Sequence, residues 1–155
     1  MLDIILAVFA IAAAQDDAGA AASVATTPAL VAEPQTPTGK FTTATEVKPI
    51  LSATKANWIA VRDYGGQDLI YVTHLWAWRC GLVGMAVAVN DGAPQDWPLP
   101  DCHTDTATPN AILQSDGVPY RAHPRGSVQS VTVTLTYDDL SVASARFTRA
   151  EVLIP

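Results

Sequence analysis

The sequence predicts an α+β domain in which a short N-terminal helix packs on an antiparallel sheet of five to six strands, with a β-sandwich as the alternative. Three observations lead there. Apolar residues recur at helical spacing once, between Val47 and Trp58, and at period two in several later stretches. Two cysteines, Cys80 and Cys102, flank a proline-rich middle that carries little periodicity of its own.

Val47, Ile50, Leu51, Thr54 and Trp58 fall on one helical face, with Lys48 and Lys55 on the other. Thr45 suits the N-cap and Pro49 the first turn, so a helix is expected near 45–56. Trp58 to Tyr64 then alternates, Gly65-Gly66 turns the chain, and Asp68 to Trp78 answers as a return strand. Leu82 to Val89 reads as a third strand, closed by the turn signal Asn90-Asp91-Gly92. Six prolines punctuate 93–126, where one short strand is expected around Val118–Arg121. Ser127–Tyr137 and Val142–Arg149 form the clearest hairpin, turned at Asp138-Asp139.

Ahead of this domain, expected over 39–155, the chain divides in two. Ile4 to Ala13 is an unbroken apolar run, which as a helix spans roughly 15 Å, half the hydrocarbon core of a bilayer. That is too short for a stable anchor and suits an export signal over 1–14, cleaved after Ala14, although Asp3 replaces the usual basic residue before the run. No cysteine beside that point offers a lipid attachment. Residues 15–38, rich in Ala, Thr and Pro, cannot bury enough surface to offset ordering entropy and read as a flexible linker.

Export places Cys80 and Cys102 in an oxidising compartment, where an even count favours a disulfide, worth roughly 3 kcal/mol in the chain-entropy model. Neither belongs to a Cys-x-x-Cys pair, which leaves little support for redox chemistry or a zinc knuckle. A net charge of −6 with scattered Lys and Arg argues against nucleic acid and anionic membrane surfaces as partners.

The sequence contains no nucleophile elbow, phosphate-binding glycine loop or His-Glu-x-x-His. Asp101, His103 and Asp105, if extended, share one side and with His74 and His123 would suit a divalent metal; the plainer reading is a soluble loop beside a cystine. Read as strand residues, His74, Trp76 and Trp78 share a face with Ile70 and Val72. A core role is then the commoner reading, and sugar stacking with Asn57, Gln67 and Asp68 alongside, or a protein interface, the sharper one. Ser115, Ser127 and His123 permit a nucleophilic site that no spacing selects, and Asp138-Asp139 belongs to a turn.

Thr36-Pro37-Thr38-Gly39-Lys40-Phe41-Thr42 through Glu46-Val47-Lys48-Pro49-Ile50-Leu51, together with Trp78-Arg79-Cys80-Gly81-Leu82, give this chain a recognisable texture. Cys102 with Thr108-Pro109-Asn110-Ala111-Ile112, and the tail Ala145 to Ala150, add to it. In these stretches it resembles an uncharacterised group of small exported proteins from alphaproteobacteria. The resemblance implies export and a single domain, and assigns no activity, cofactor or functional residue.

The expectation is therefore a periplasmic or secreted module without a cofactor, which binds a protein or carbohydrate of the cell envelope through Trp76 and Trp78 or through loop 93–126. The alternative is a small hydrolase or metal-dependent enzyme built on His74, His103, His123 and nearby Asp residues. An enzyme requires at least two of those side chains beside one reacting atom.

Overall fold

The computed structural model describes residues 28–155; the expected export signal and the linker up to residue 27 lie outside them. Residues 28–38 form no helix or strand, but the end nearest the domain is tied down. Glu33 N–H donates to the Asp138 carbonyl at 2.8 Å, and the Gln35 amide donates to Asp138 Oδ1 at 2.8 Å.

Helix α1 spans Ala44–Ala53 and buries Ala44, Val47 and Leu51, one stripe at helical spacing. It starts one residue before the expected 45–56 and ends three sooner, and its N-cap is Thr43 in place of Thr45. Glu46, in the first turn, accepts the N–H of Thr43 at 3.1 Å and also those of Thr38, Gly39 and Thr42. Burial opposes the charged form of Glu46, yet these donors, with the Thr43 hydroxyl, hold its pKa below the ordinary value. Pro49 consequently falls inside the helix and past its first turn, where its ring removes one backbone donor.

Among the described residues eight strands form two four-stranded sheets, where five or six strands in one sheet were expected. The first sheet contains β1 (Ala60–Tyr64), β2 (Gln67–Tyr71), β5 (Tyr120–Pro124) and β8 (Leu153–Ile154), in the order β5-β2-β1-β8. The second contains β3 (Leu82–Val89), β4 (Gln95–Asp96), β6 (Ser130–Tyr137) and β7 (Val142–Thr148), in the order β4-β3-β6-β7. Strands β4 and β8 have two residues each, too few to show alternation in sequence. The β1–β2 hairpin at Gly65-Gly66 and the β6–β7 hairpin match the expected pairings. Inward residues of both sheets, including Val61, Ile70, Val87, Val133 and Phe147, join α1 and Trp58 in one core.

One expected strand is overturned. The return strand stops at Tyr71, and Thr73–Trp76 forms a short helix, α2, followed by a 3₁₀ turn over Arg79–Gly81. The amide of Trp76 bonds the Val72 carbonyl and that of Ala77 the Thr73 carbonyl, so His74, Trp76 and Trp78 do not share a strand face. This helical stretch carries the chain from β2 of the first sheet to β3 of the second. Its Gly81 lies against α1, where an added Cβ would sit 2.4 Å from Val47 Cγ2 and 2.8 Å from the Thr43 carbonyl oxygen.

The Cys80–Cys102 disulfide is formed, with Cα atoms 5.2 Å apart, and is compatible with an oxidising compartment. The irregular stretch beyond it is organised by Arg79. This buried guanidinium donates to the carbonyls of Trp76, Pro100, Asp101, Asn110 and Ala111 and meets the Asp116 carboxylate. At the other end of the domain, Asp68 is buried and accepts two hydrogen bonds from Arg149 as well as the N–H groups of Gly126 and Val128. A final short helix, α3 (Arg149–Val152), carries Arg149 and leads into β8. No helix among the described residues is long and apolar enough to cross a membrane.

Candidate functional site

The residues singled out from sequence are dispersed. Trp76 is 4% exposed and belongs to the core, and its indole N–H has no protein partner. Trp78 is half-buried and stands edge-on to Phe41 at 5.2 Å between ring centroids, beside Pro109 and Asn110. His103 Nε2 bonds Asp116 at 3.0 Å in the irregular stretch that follows Cys102, whereas Asp101 and Asp105, on either side of that cysteine, are exposed. His123 pairs in register with buried Asp68 and lines a gap between the sheets with Val87 and Val89. His74 sits elsewhere again, on α2, against Thr54. Among the described residues no group of three His, Cys, Asp or Glu is placed to hold a metal, and no serine hydroxyl bonds a histidine ring.

Instead, the outward face of the β5-β2-β1-β8 sheet collects interaction-prone side chains. Cross-strand partners lie on the same face of a sheet, so the registers define three rows. Ala60, Tyr71 and Tyr120 form the first; Ile154, Arg62, Leu69 and Ala122 the second; Tyr64, Gln67 and Pro124 the third. The Tyr71 and Tyr120 rings pack tilted at 49° with centroids 5.2 Å apart, and the Arg62 guanidinium lies 4.7 Å from the centre of the Tyr64 ring. Tyr64 is 59% exposed, Ile154 43% and Tyr120 37%, an unusual density of large apolar side chains in water. No strand position on this face is an Asp or Glu.

At one end of the face, Asn57, Trp58, Arg62, Tyr71, Thr73 and His74 line an open cleft of about 360 Å³. The tautomer of His74 follows from its neighbours. Thr54 spends its single hydroxyl proton on the Ile50 carbonyl at 2.7 Å, so at 2.8 Å from His74 Nε2 it can only accept. His74 therefore carries its proton on Nε2 and keeps Nδ1 as a free acceptor. Burial pushes its pKa down, in favour of this neutral form.

Two further depressions are present. A groove of about 730 Å³ runs over Gly84, Ala86, Thr134 and Thr136 beside the Trp97–Cys102 stretch, and the Phe41–Trp78 cleft measures about 490 Å³. The groove offers no exposed aromatic ring, and in the Phe41–Trp78 cleft, where Lys40 has no carboxylate partner among the described residues, the Asn110 amide is already spent on the Lys40 and Phe41 carbonyls and on the Cys80 N–H.

Of the sequence candidates, His74 and Asn57 reach the cleft and Gln67 the face beside it, whereas Trp76, Trp78 and Asp68 do not. Sequence reasoning missed Arg62, Tyr71 and Tyr120. Alternation in β1 and β2 carried the signal for the first two, because Arg62 follows the inward Val61 and Tyr71 the inward Ile70. No known family model matches this chain, and no curated protein or solved structure is significantly similar to it.

Proposed function

We propose that the chain is a non-catalytic binding module of the cell envelope, periplasmic or secreted, that recognises its partner through the outward face of the β5-β2-β1-β8 sheet. One observation carries this reading. In a chain of net charge −6, this face sets Tyr64, Tyr71 and Tyr120 around Arg62 and presents no carboxylate from its strands. Tyrosine and arginine are the residues enriched where proteins meet partners, because they combine large rigid area with a polar end. The export-type N-terminal run and the cystine support an extracytoplasmic location. The enzyme alternative draws no support from three histidines in three separate settings.

A photo-crosslinker placed at Tyr64 and, as control, at Ser144 on the outward face of the other sheet tests the proposal in an envelope fraction. Adducts at position 64 that vanish with Tyr120→Ser, and are absent at 144, are expected. Equal labelling at both positions, or none, counts against it.

A further inference from the structure

We propose that the cleft at the end of the tyrosine face binds an acidic saccharide, a sugar unit carrying a carboxylate; the inference rests on the binding-face reading and assigns its ligand class. Arg62 is the starting point. Every other arginine among the described residues is engaged by an acceptor within the protein. Arg79 meets Asp116, Arg125 meets Asp63, Arg146 meets Asp91 and Arg149 meets Asp68, while Arg121 donates to the Asp96 carbonyl. Arg62 alone has no acceptor there; it is half-buried and held over the Tyr64 ring. A guanidinium fixed in this way offers paired donors to a planar anion, and a carboxylate is the simplest match.

The rest of the cleft selects among carboxylates. Its rim holds the Asn57 amide, the Thr73 hydroxyl and the free Nδ1 acceptor of His74, all uncommitted within the protein. Its apolar wall is supplied by Tyr71, Ala60 and Ile154, with Trp58 buried beneath. An acidic side chain of a peptide would use Arg62 and leave these neutral donors and acceptors idle. A pyranose ring uses both, with its C–H face on an aromatic ring and its hydroxyls on the rim. At about 360 Å³ the cleft falls at the low end of small-molecule sites, which span about 300–1,000 Å³.

The test titrates the purified oxidised protein, ¹⁵N-labelled, with a galacturonate oligomer, the matching neutral galactose oligomer and a tetraglutamate peptide. The acidic oligomer should shift amides at 57–64 and 71–74 and bind about tenfold more tightly than the neutral one, the weight of one charge-assisted contact. Arg62→Gln should remove that tenfold preference at an unchanged melting temperature, Arg62→Lys should retain part of it, and Arg146→Gln should retain all of it. Equal affinity for both oligomers, tighter binding of the peptide, or shifts centred elsewhere would overturn the proposal. If no oligomer binds while the Tyr64 crosslink still forms, the saccharide assignment fails and the binding face survives. Loss of the crosslink as well removes both.

Discussion

Arg79 Nη2 lies 3.3 Å from Asp116 Oδ2, with the arginine side chain wholly withdrawn from solvent and the aspartate nearly so. Burial pushes the pKa of this guanidinium down, while Asp116 and Asp101 oppose that push. An arginine has so wide a margin that it remains charged at neutral pH. Five backbone carbonyls complete its surroundings, and they come from α2 and from both ends of the irregular stretch 97–117.

Replacing Arg79 by Met should therefore cost about 3–5 kcal/mol, the range for removing one member of a buried ion pair. Urea unfolding measures the loss, and hydrogen exchange should report exposed amides at 103–117. A loss below about 1 kcal/mol would show that the carbonyls find other donors.

The cystine acts on the same stretch by a different route, by restricting the unfolded chain. Cys102→Ser should lower stability by about 3 kcal/mol in the chain-entropy model, while Arg79 keeps the loop docked in the native state. Denaturant midpoints of oxidised wild type and variant decide the matter, and coincident midpoints would contradict it.

Acid should weaken the fold at two carboxylates. The hydrogen bond from Arg149 is the largest influence on Asp68 and, despite burial, keeps its pKa well below the ordinary range. Lys48, followed by Ser141, brings Asp139 down to about 2. Both groups have lower pKa values folded than unfolded. Their stabilisation is thus complete above the ordinary carboxyl value of about 4 and is lost as pH falls through the folded values. Urea midpoints should hold level from pH 7 to 5 and fall between about pH 4 and 2, less steeply in Asp68→Asn. A midpoint indifferent to pH over that range would disprove the assignment.

Gly81→Ala should destabilise by about 1–3 kcal/mol, because its new methyl meets a backbone oxygen, Thr43 O, that cannot rotate away. Thermal unfolding of the variant is the check, and wild-type stability would mean that α1 shifts freely.

How much of this was legible in the sequence depended on the length of each pattern. Strands β3, β6 and β7, with seven or eight residues each, displayed their alternation and their turns. Helix α2 has four residues, too few for a 3.6-residue period to emerge, and Ile70, Val72, Trp76 and Trp78 imitated a strand face across it. Arg79 gave no sign of its role because most of its acceptors are backbone carbonyls, which leave no mark in side-chain spacing. Asp68 has the sequence setting of a sugar-flanking surface residue, because its partner Arg149 lies 81 residues away, beyond any local pattern. The tyrosine face depends on the same kind of long-range pairing, since Tyr120 reaches Tyr71 only through the β2–β5 register.

Tyr120 is delivered to its place by the segment that leaves Cys102, so the staple and the paired rings lie on one mechanical line. The Arg79 guanidinium grips that line between the two, at the Asn110 and Ala111 carbonyls, so reductant in the surroundings would leave the row at Tyr71 standing in the native state. Grip on a partner would then hold until the fold itself gives way, so that binding and global structure would be lost together.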